Sequence, residues 1–394
     1  MNVLIFGGGD LQVSLINKAV KLGYKTIVID PDENAVGKEL ATHFYTIPGN
    51  DFESTVKICK KHCVNGIVTA ATDKPLIMMA RIAAEFGFKF PTVKSINNTI
   101  KKNILKDILQ KNRIPSAKFV KWFKKDGVDF ELLKYPLVLK PTDNSGSRGI
   151  IFVEDKQSLL KNIENTFSET KEDFILIEEY QYGEEISVEG IVYNKTFHLI
   201  QITDKTITPP PNTVELAHIQ PSKYCYLSKK ISSLLTTTTI RLGLDNCPIH
   251  AEIKVLNDEL SIIEIGPRLG GDYITSHLVP MSTGVDIETE YLKLVMGSTP
   301  YFTPVLNKAA GIRYLEFPVG NVIDSFDFDK IKCNKNIVLF EYKIGVGMKI
   351  PKITNSLNRY GFYILESNNR TKLMNLINKM HNQINKKVVY RDRN

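Results

Sequence analysis

From Met1 to Gly87 short apolar runs alternate with helical patterns, and this restricts the fold more than any other feature of the chain. Val3–Phe6, Lys25–Asp30, Phe44–Ile47 and Gly66–Thr69 read as strands. Helical stretches run up to Leu22, from Asp51 to His62 and from Pro75 to Phe86, with Gly23 and Gly87 as stop signals. Strands alternating with helices of this size imply a parallel sheet covered on both faces.

The chain has 394 residues, which predicts two to three domains at about 150 residues each. Its 43% hydrophobic content suffices for a large core without disulfides or a structural metal. No stretch approaches the ~18 consecutive apolar residues of a membrane span. Met1–Phe6 lacks the basic and apolar regions of a signal peptide. Five scattered cysteines, with Cys59 and Cys63 about one helical turn apart and no second pair to complete a zinc site, predict a reduced, cytoplasmic protein. The net charge of +8 is spread along the chain, arginines are few and no aromatic–basic motif is present, so a solvated lysine-rich surface is favoured over a nucleic-acid groove.

Beyond Gly87 the pattern changes. Ile96–Asn112 reads as one long amphipathic helix, and Lys118–Val192 as mixed strands with two helical stretches and a Gly-rich turn. Thr203–Pro211 reads as a loop, Leu227–Leu242 as a helix, and His250–Leu256 and Glu259–Ile265 as strands. Residues 307–394 look α+β, with a helix over Thr371–Lys387 and a basic, frayed tail over Lys386–Asn394.

One motif misleads. Gly7-Gly-Gly9 after a strand, with Asp30 about twenty residues on, imitates a dinucleotide fingerprint. The third glycine place holds Gln12, whose side chain would crowd the helix–strand contact. A nicotinamide-dependent oxidoreductase is disfavoured on that ground.

Three later stretches carry chemistry. In the first, an apolar strand delivers Lys140 to a loop, Pro141–Gly149, whose Ser145, Gly146, Ser147 and Arg148 could surround phosphate oxygens; a flexible hairpin with an incidental lysine is the competing reading. In the second, Phe174–Val188, a buried-type strand runs into Glu178, Glu179, Glu184 and Glu185. Glutamates there could accept from an adenine amino group and ribose hydroxyls, or simply form a solvated turn. In the third, Ala251–Asp272, two strands joined at Asn257-Asp258 form a hairpin. Such a hairpin is expected to set Glu252 and Glu264 opposite each other, with side chains on the same face. Like charges so placed are unfavourable unless a cation lies between them, and two carboxylates with phosphate oxygens and water suit Mg²⁺. Arg268 follows in a Gly-rich turn, placed to hold phosphate or carboxylate bidentately.

Together and in this order the three stretches resemble the ATP-grasp superfamily. The resemblance covers almost the whole chain and implies a multidomain α/β and α+β fold: a Rossmann-like preATP-grasp domain over 1–94, an ATP-grasp domain over 95–306 with a lid subdomain at about 115–190, and a small α+β domain over 307–394. It implies ATP and Mg²⁺ (or Mn²⁺) as cofactors. Lys102 and Lys140 match the nucleotide lysines, Pro141–Gly149 the phosphate-covering loop, Glu178, Glu179 and Tyr180 the adenine hinge, and Glu185 the ribose acid. Glu252 and Glu264 match the metal glutamates, and Arg268 the catalytic arginine, with Lys140 sharing that role. The family commonly reads Glu-x-Asn-x-Arg; here Gly266 stands in the Asn place.

Within the superfamily the chain looks most like the L-amino-acid (dipeptide) ligase branch. The resemblance rests on Asp143–Gly149, Pro209–His218 with Pro221, and Arg268–Ile274. It implies an ATP-dependent carboxylate–amine ligase acting through an acyl phosphate, and small-molecule carboxylate and amine substrates held near Glu215, His218, Arg268, Gly270 and Gly271. Asp272 is a further candidate for helping deprotonate the amine, unranked against Glu215 and His218; His277 is read as structural. Neither a nucleic-acid nor a membrane partner is expected; a homodimer is an expectation of the likeness alone. Two other readings remain at this point: an ATP-grasp enzyme of purine or biotin-type carboxylation, and a non-catalytic ATP-binding protein.

Overall fold

The computed structural model describes residues 1–125, 133–142, 149–210 and 213–391. They form two compact units. The first comprises 1–116, 187–202 and 224–305; the second comprises 117–186, 203–223 and 306–391.

The first unit opens with the expected parallel sheet. Strands β1 (Asn2–Phe6), β2 (Lys25–Asp30), β3 (His43–Thr46) and β4 (Gly66–Thr69) lie in the order β3-β2-β1-β4, and every pairing is parallel. Leu4, Phe6, Ile27 and Ile67 point into a core shared with Met79, Ile82 and Ile96 of the covering helices. Gly23 and Gly87 end their helices with φ of 75° and 70°, the left-handed conformation glycine adopts without a Cβ penalty. The glycine turn after β1 is self-contained. Asp30 accepts from the Gly8 N–H at 2.7 Å, and the buried Gln12 lies against Gly7 and Gly9 and donates to the Ala70 carbonyl at 2.7 Å. The carboxylate and the helix–strand gap that a dinucleotide would use are taken by the protein itself.

The helix expected over Ile96–Asn112 is two helices, Val93–Ile100 and Lys102–Lys111, broken at Lys101, whose ψ of 101° is extended. Lys102 is therefore the first residue of a helix. The same unit holds the hairpin, Cys247–Leu256 with Glu259–Gly266. Asn257 and Asp258 have φ of 50° and 63°, the pair of left-handed residues that a two-residue hairpin turn requires. From that turn Leu256 pairs with Glu259 and Ile253 with Ile262. Continued regularly, this register sets Ile263 opposite Glu252. A bulge between Glu252 and Ile253 shifts it by one, and Glu264 becomes the partner of Glu252. The two glutamates face each other as expected, but through a bulge and not through symmetry.

The second unit contains a four-stranded antiparallel sheet in the order Phe119–Phe123, Phe174–Glu179, Leu137–Lys140, Ile151–Val153. Leu137, Leu139, Ile175 and Ile177 form its core with Leu159 and Phe167 of the helix Lys156–Ser168. A second core gathers Ile219, Ala309, Leu365, Leu373 and Ile377 around the C-terminal helix Arg370–Asn385. Two expectations fail here. Thr203–Ile207 is strand, the end of Thr196–Ile207, because its β-branched residues pair with Glu215–Gln220 until Pro209. In the tail, Val388–Tyr390 is a strand paired with Ile323–Phe326, because Val388 joins the core. No helix among the described residues is long and apolar enough to cross a membrane.

Candidate functional site

The sequence-derived residues fall into one polar cluster in each unit. In the first unit the hairpin bulge turns Glu252 and Glu264 toward one another. Burial raises the Glu264 pKa, and the Glu252 and Asp73 charges raise it further, against the opposing pull of Lys102 and Arg268. A carboxylate in that situation gains from any added positive charge. Among the described residues no group of three or more His, Cys, Asp or Glu side chains could hold a metal. The pair thus suits a divalent cation that brings further oxygens with it, such as those of phosphate and water.

Arg268 lies 14% exposed beyond the hairpin. Its Nε donates to Asp73 Oδ1 at 2.8 Å and its Nη1 to the Leu269 carbonyl at 3.2 Å. Burial opposes the guanidinium charge, but Asp73 and then Glu264 outweigh it and raise its pKa. Behind the glutamates His250 bridges two acids: Nδ1 lies 2.6 Å from buried Glu189 and Nε2 lies 3.8 Å from Glu252. Burial alone would lower the His250 pKa; Glu189 and Glu252 raise it to about 9. Gly270 packs on this pair. A Cβ there would come within 2.9 Å of Glu189 Oε2 and 3.0 Å of His250 Nδ1, so a side chain at 270 would force that pair to shift. At Gly271 the nearest atom is Ala71 Cβ at 3.5 Å, ordinary contact. Asp272 and Tyr273 then take left-handed φ of 50° and 60° before a π-helical turn, Ile274–Leu278. Strain of this kind persists only where the surroundings hold it, and often marks functional turns.

In the second unit the acids already have partners. Lys140 Nζ donates to Glu178 Oε2 at 2.8 Å across neighbouring strands; Glu178 is buried and the Lys140 side chain is 14% exposed. Glu178, read from the sequence as an adenine acceptor, is thus tied to the lysine read as a phosphate ligand. The Glu179 carboxylate accepts from the Lys134 N–H at 3.1 Å, and the Tyr180 N–H donates to the Pro136 carbonyl at 2.9 Å. The Tyr180 ring stands edge-on to Phe152 and Tyr182. Glu185 meets Lys205 at 2.5 Å, and Lys205 also lies 3.7 Å from Glu215. Arg359 approaches Glu215 at 4.0 Å and stacks on Tyr314 at 3.6 Å. His218 is buried on the same strand as Glu215, in register with Lys205. A cavity of about 250 Å³ opens beside Leu216, lined by Pro209, Phe317, Val319 and Tyr360 with Glu316 and Lys352. Ser145, Gly146, Ser147 and Arg148 lie outside the described residues.

Sequence reasoning missed Asp73, Glu189, His250 and Lys205. His250 and Glu189 carried a usable signal: His250 is two residues before Glu252 on a strand, hence on the same face, and Glu189 sits inside an apolar strand where a carboxylate needs a partner. Asp73 carried none, because its partner is 195 residues away.

Comparison with known proteins bears on the fold that holds these two clusters. Residues 133–276 match the ATP-grasp domain family, so the chain carries an ATP-grasp domain. It is 29% identical over 245 residues to an alanine–anticapsin ligase of Bacillus subtilis strain 168, covering 56% of this chain and 51% of that protein. Among solved structures it superposes on an L-amino acid ligase from Bacillus licheniformis with a TM-score of 0.81 at 18% identity, covering 99% of each chain. A phosphoribosylglycinamide synthetase from Anaerococcus prevotii gives a TM-score of 0.78 at 19% identity over 100% of this chain and 99% of that one. At such identities these structures establish the fold. The chain spans about half the length of the alanine–anticapsin ligase it matches.

Proposed function

We propose that this protein is an ADP-forming carboxylate–amine ligase for small molecules, with an amino acid as the acyl substrate. The observation that carries the reading is the facing Glu252–Glu264 pair, set by a bulge and flanked by Lys102 and Arg268. Two opposed, partly buried glutamates cost a polypeptide stability, and a cation between them would relieve that cost. The likeness to an alanine–anticapsin ligase supports the amide-forming class.

In this reading Lys140 and Lys102 offset phosphate charge, the Glu178–Tyr180 segment and Glu185 hold adenine and ribose, and Glu252 with Glu264 hold Mg²⁺. The ion, when bound, neutralises phosphate oxygens. The substrate carboxylate takes the γ-phosphoryl group and ADP leaves; an amine then attacks the acyl carbon and phosphate leaves, so the product is lighter than its two parents by one water. Phosphoryl transfer is mainly positioning and charge neutralisation, the chemistry for which lysine, arginine and metal-holding carboxylates are suited. Arg268 steadies the oxyanion as charge develops. Glu215, His218 and Asp272 remain the candidates for taking the amine's proton. The cavity beside Leu216 has room for an amino-acid-sized group.

The test is phosphate release from Mg·ATP against a matrix of amino acids, alone and in pairs, with mass spectrometry of the products. Release that needs two substrates, with a product lighter by one water than their sum, supports the ligase reading. Release that needs bicarbonate instead replaces it with a carboxylating reading. No release with any combination, alongside saturable ATP binding, favours a nucleotide sensor.

A further inference from the structure

The Arg268–Asp73 pair explains a glycine that is otherwise out of place. Asp73 follows β4, and Arg268 follows the strand Glu259–Gly266. Backbone contacts tie the two segments together: Ala70 and Leu269 form an isolated parallel bridge, and the Ala71 N–H donates to the Leu269 carbonyl at 3.1 Å. Ala71 takes a left-handed φ of 59°, strain that a non-glycine residue accepts only where its surroundings hold it. Asp73 Oδ1 receives Arg268 Nε–H, and Oδ2 lies 3.5 Å from Nη2. Gly266 is in contact with both partners. A Cβ at that position would stand 3.3 Å from Asp73 Oδ1, a tight contact, and 3.4 Å from Arg268 Cγ. The backbone at Gly266 does not require glycine, since its φ is not among the positive ones. The space favours it, because a side chain there would press on the pair by a few tenths of an ångström.

We propose that Asp73 is the positioning residue of Arg268, and that residue 266 is glycine in order to admit the pair. The Asp73 carboxylate occupies the room that an asparagine side chain would take and fixes the guanidinium beside Glu264. With the Nε edge engaged by Asp73, Arg268 meets an incoming carboxylate or phosphate oxyanion through its Nη groups. Only the identity of that oxyanion rests on the ligase reading; the positioning role stands on the geometry.

Protein labelled with ¹⁵N-arginine provides the test. Exchange of the Arg268 Nε–H with water is followed by NMR, the signal being assigned by its absence in Arg268→Lys. A charge-assisted hydrogen bond to a shielded carboxylate slows this exchange strongly. Asp73→Ala and Gly266→Asn should each accelerate it at least about ten-fold, the second with Asp73 still present. Asp73→Asn, which keeps the shape and loses the charge, should fall between them and the parent, and it guards against a misfolded alanine variant. In parallel, Mn²⁺ binding in the presence of ADP is measured by electron paramagnetic resonance. Asp73→Ala should stay within about three-fold of the parent, whereas Glu264→Gln should lose at least ten-fold. A slow signal that persists in Gly266→Asn, or a parent signal that is not slow, overturns the proposal. So does an Asp73→Ala protein that loses Mn²⁺ as Glu264→Gln does, since Asp73 would then be a metal ligand. Neither readout needs ligase turnover, so failure here is distinct from failure of the ligase reading.

Discussion

The two polar clusters handle buried charge in opposite ways. In the second unit Glu178 and Glu185 each have a lysine within 2.8 Å, and Glu215 lies between Lys205 and Arg359. Those three acids each face a cation, and Glu179 accepts from the Lys134 N–H. In the first unit four carboxylates, Asp73, Glu189, Glu252 and Glu264, gather around three cations, Lys102, His250 and Arg268. The surplus is negative and falls on two glutamates that face each other. A balanced cluster is a finished surface on which a neutral, hydrogen-bonding group such as a base or a sugar can lie. An unbalanced one is unfinished until a cation arrives. In the proposed reading the difference lies in pairing: acids held one-to-one by cations are left to a base or sugar, and two carboxylates facing each other are left to a cation.

The largest effect that would break this comparison is at Glu264. Glu264→Gln should cut turnover at least about a thousand-fold, or ~4 kcal/mol in the barrier, because one of two metal carboxylates is lost. The fold should survive, since the substitution removes a like-charge contact. Steady-state rates at saturating Mg²⁺ with a thermal melt check both halves; undiminished turnover sinks the metal assignment. The raised pKa adds a pH signature. With its folded pKa above the unfolded value near 4.5, Glu264 binds more protons when folded, so stability without metal falls as pH rises from there through the raised value. The Gln variant should lose that part of the fall.

In the balanced cluster, Lys140→Ala should cost about 3 kcal/mol of stability, because Glu178 remains buried without its cation. It should also raise the ATP requirement. Removing both side chains should recover part of the loss, and a double-mutant cycle in urea measures the coupling. Normal ATP kinetics in the single variant would mean that the nucleotide is held elsewhere.

His250 gives a smaller, pH-dependent effect. Its folded pKa of about 9 lies above the ordinary 6.5, so its stabilising contribution is complete below pH 6.5 and is lost as pH rises through 9. That amounts to about 3 kcal/mol at most. Unfolding free energies between pH 6 and 9.5 should fall in the parent and stay flatter in His250→Asn; equal slopes would remove the histidine from the charge balance.

The smallest effect belongs to a pair in neither cluster. Lys223 and Glu184 meet at 2.6 Å with both side chains about half exposed. Glu184→Gln should change stability by less than about 0.5 kcal/mol. A larger change would show that proximity alone, without burial, had been undervalued throughout.

How much of this was legible in the chain depended on distance along it. Glycine stops, apolar periodicity and the Asn257-Asp258 turn act over a few residues, and they placed the parallel sheet, the covering helices and both arms of the hairpin close to where they lie. The order of Lys140, Glu178, Glu185, Glu252, Glu264 and Arg268 sufficed for the resemblance. Features decided by competition between neighbours in space escaped. Lys101 interrupts what periodicity reads as one helix, and packing against the core turns the tail at Val388 into strand. Above all, the facing of Glu252 and Glu264 depends on one bulged residue, and two of the groups beside them, Asp73 and Glu189, come from segments remote in sequence. Local chemistry determined which side chains were available and what each could bind. Only tertiary packing decided which charges share a low-dielectric space, because Coulomb interactions and desolvation act through distance in space and take no account of separation along the chain.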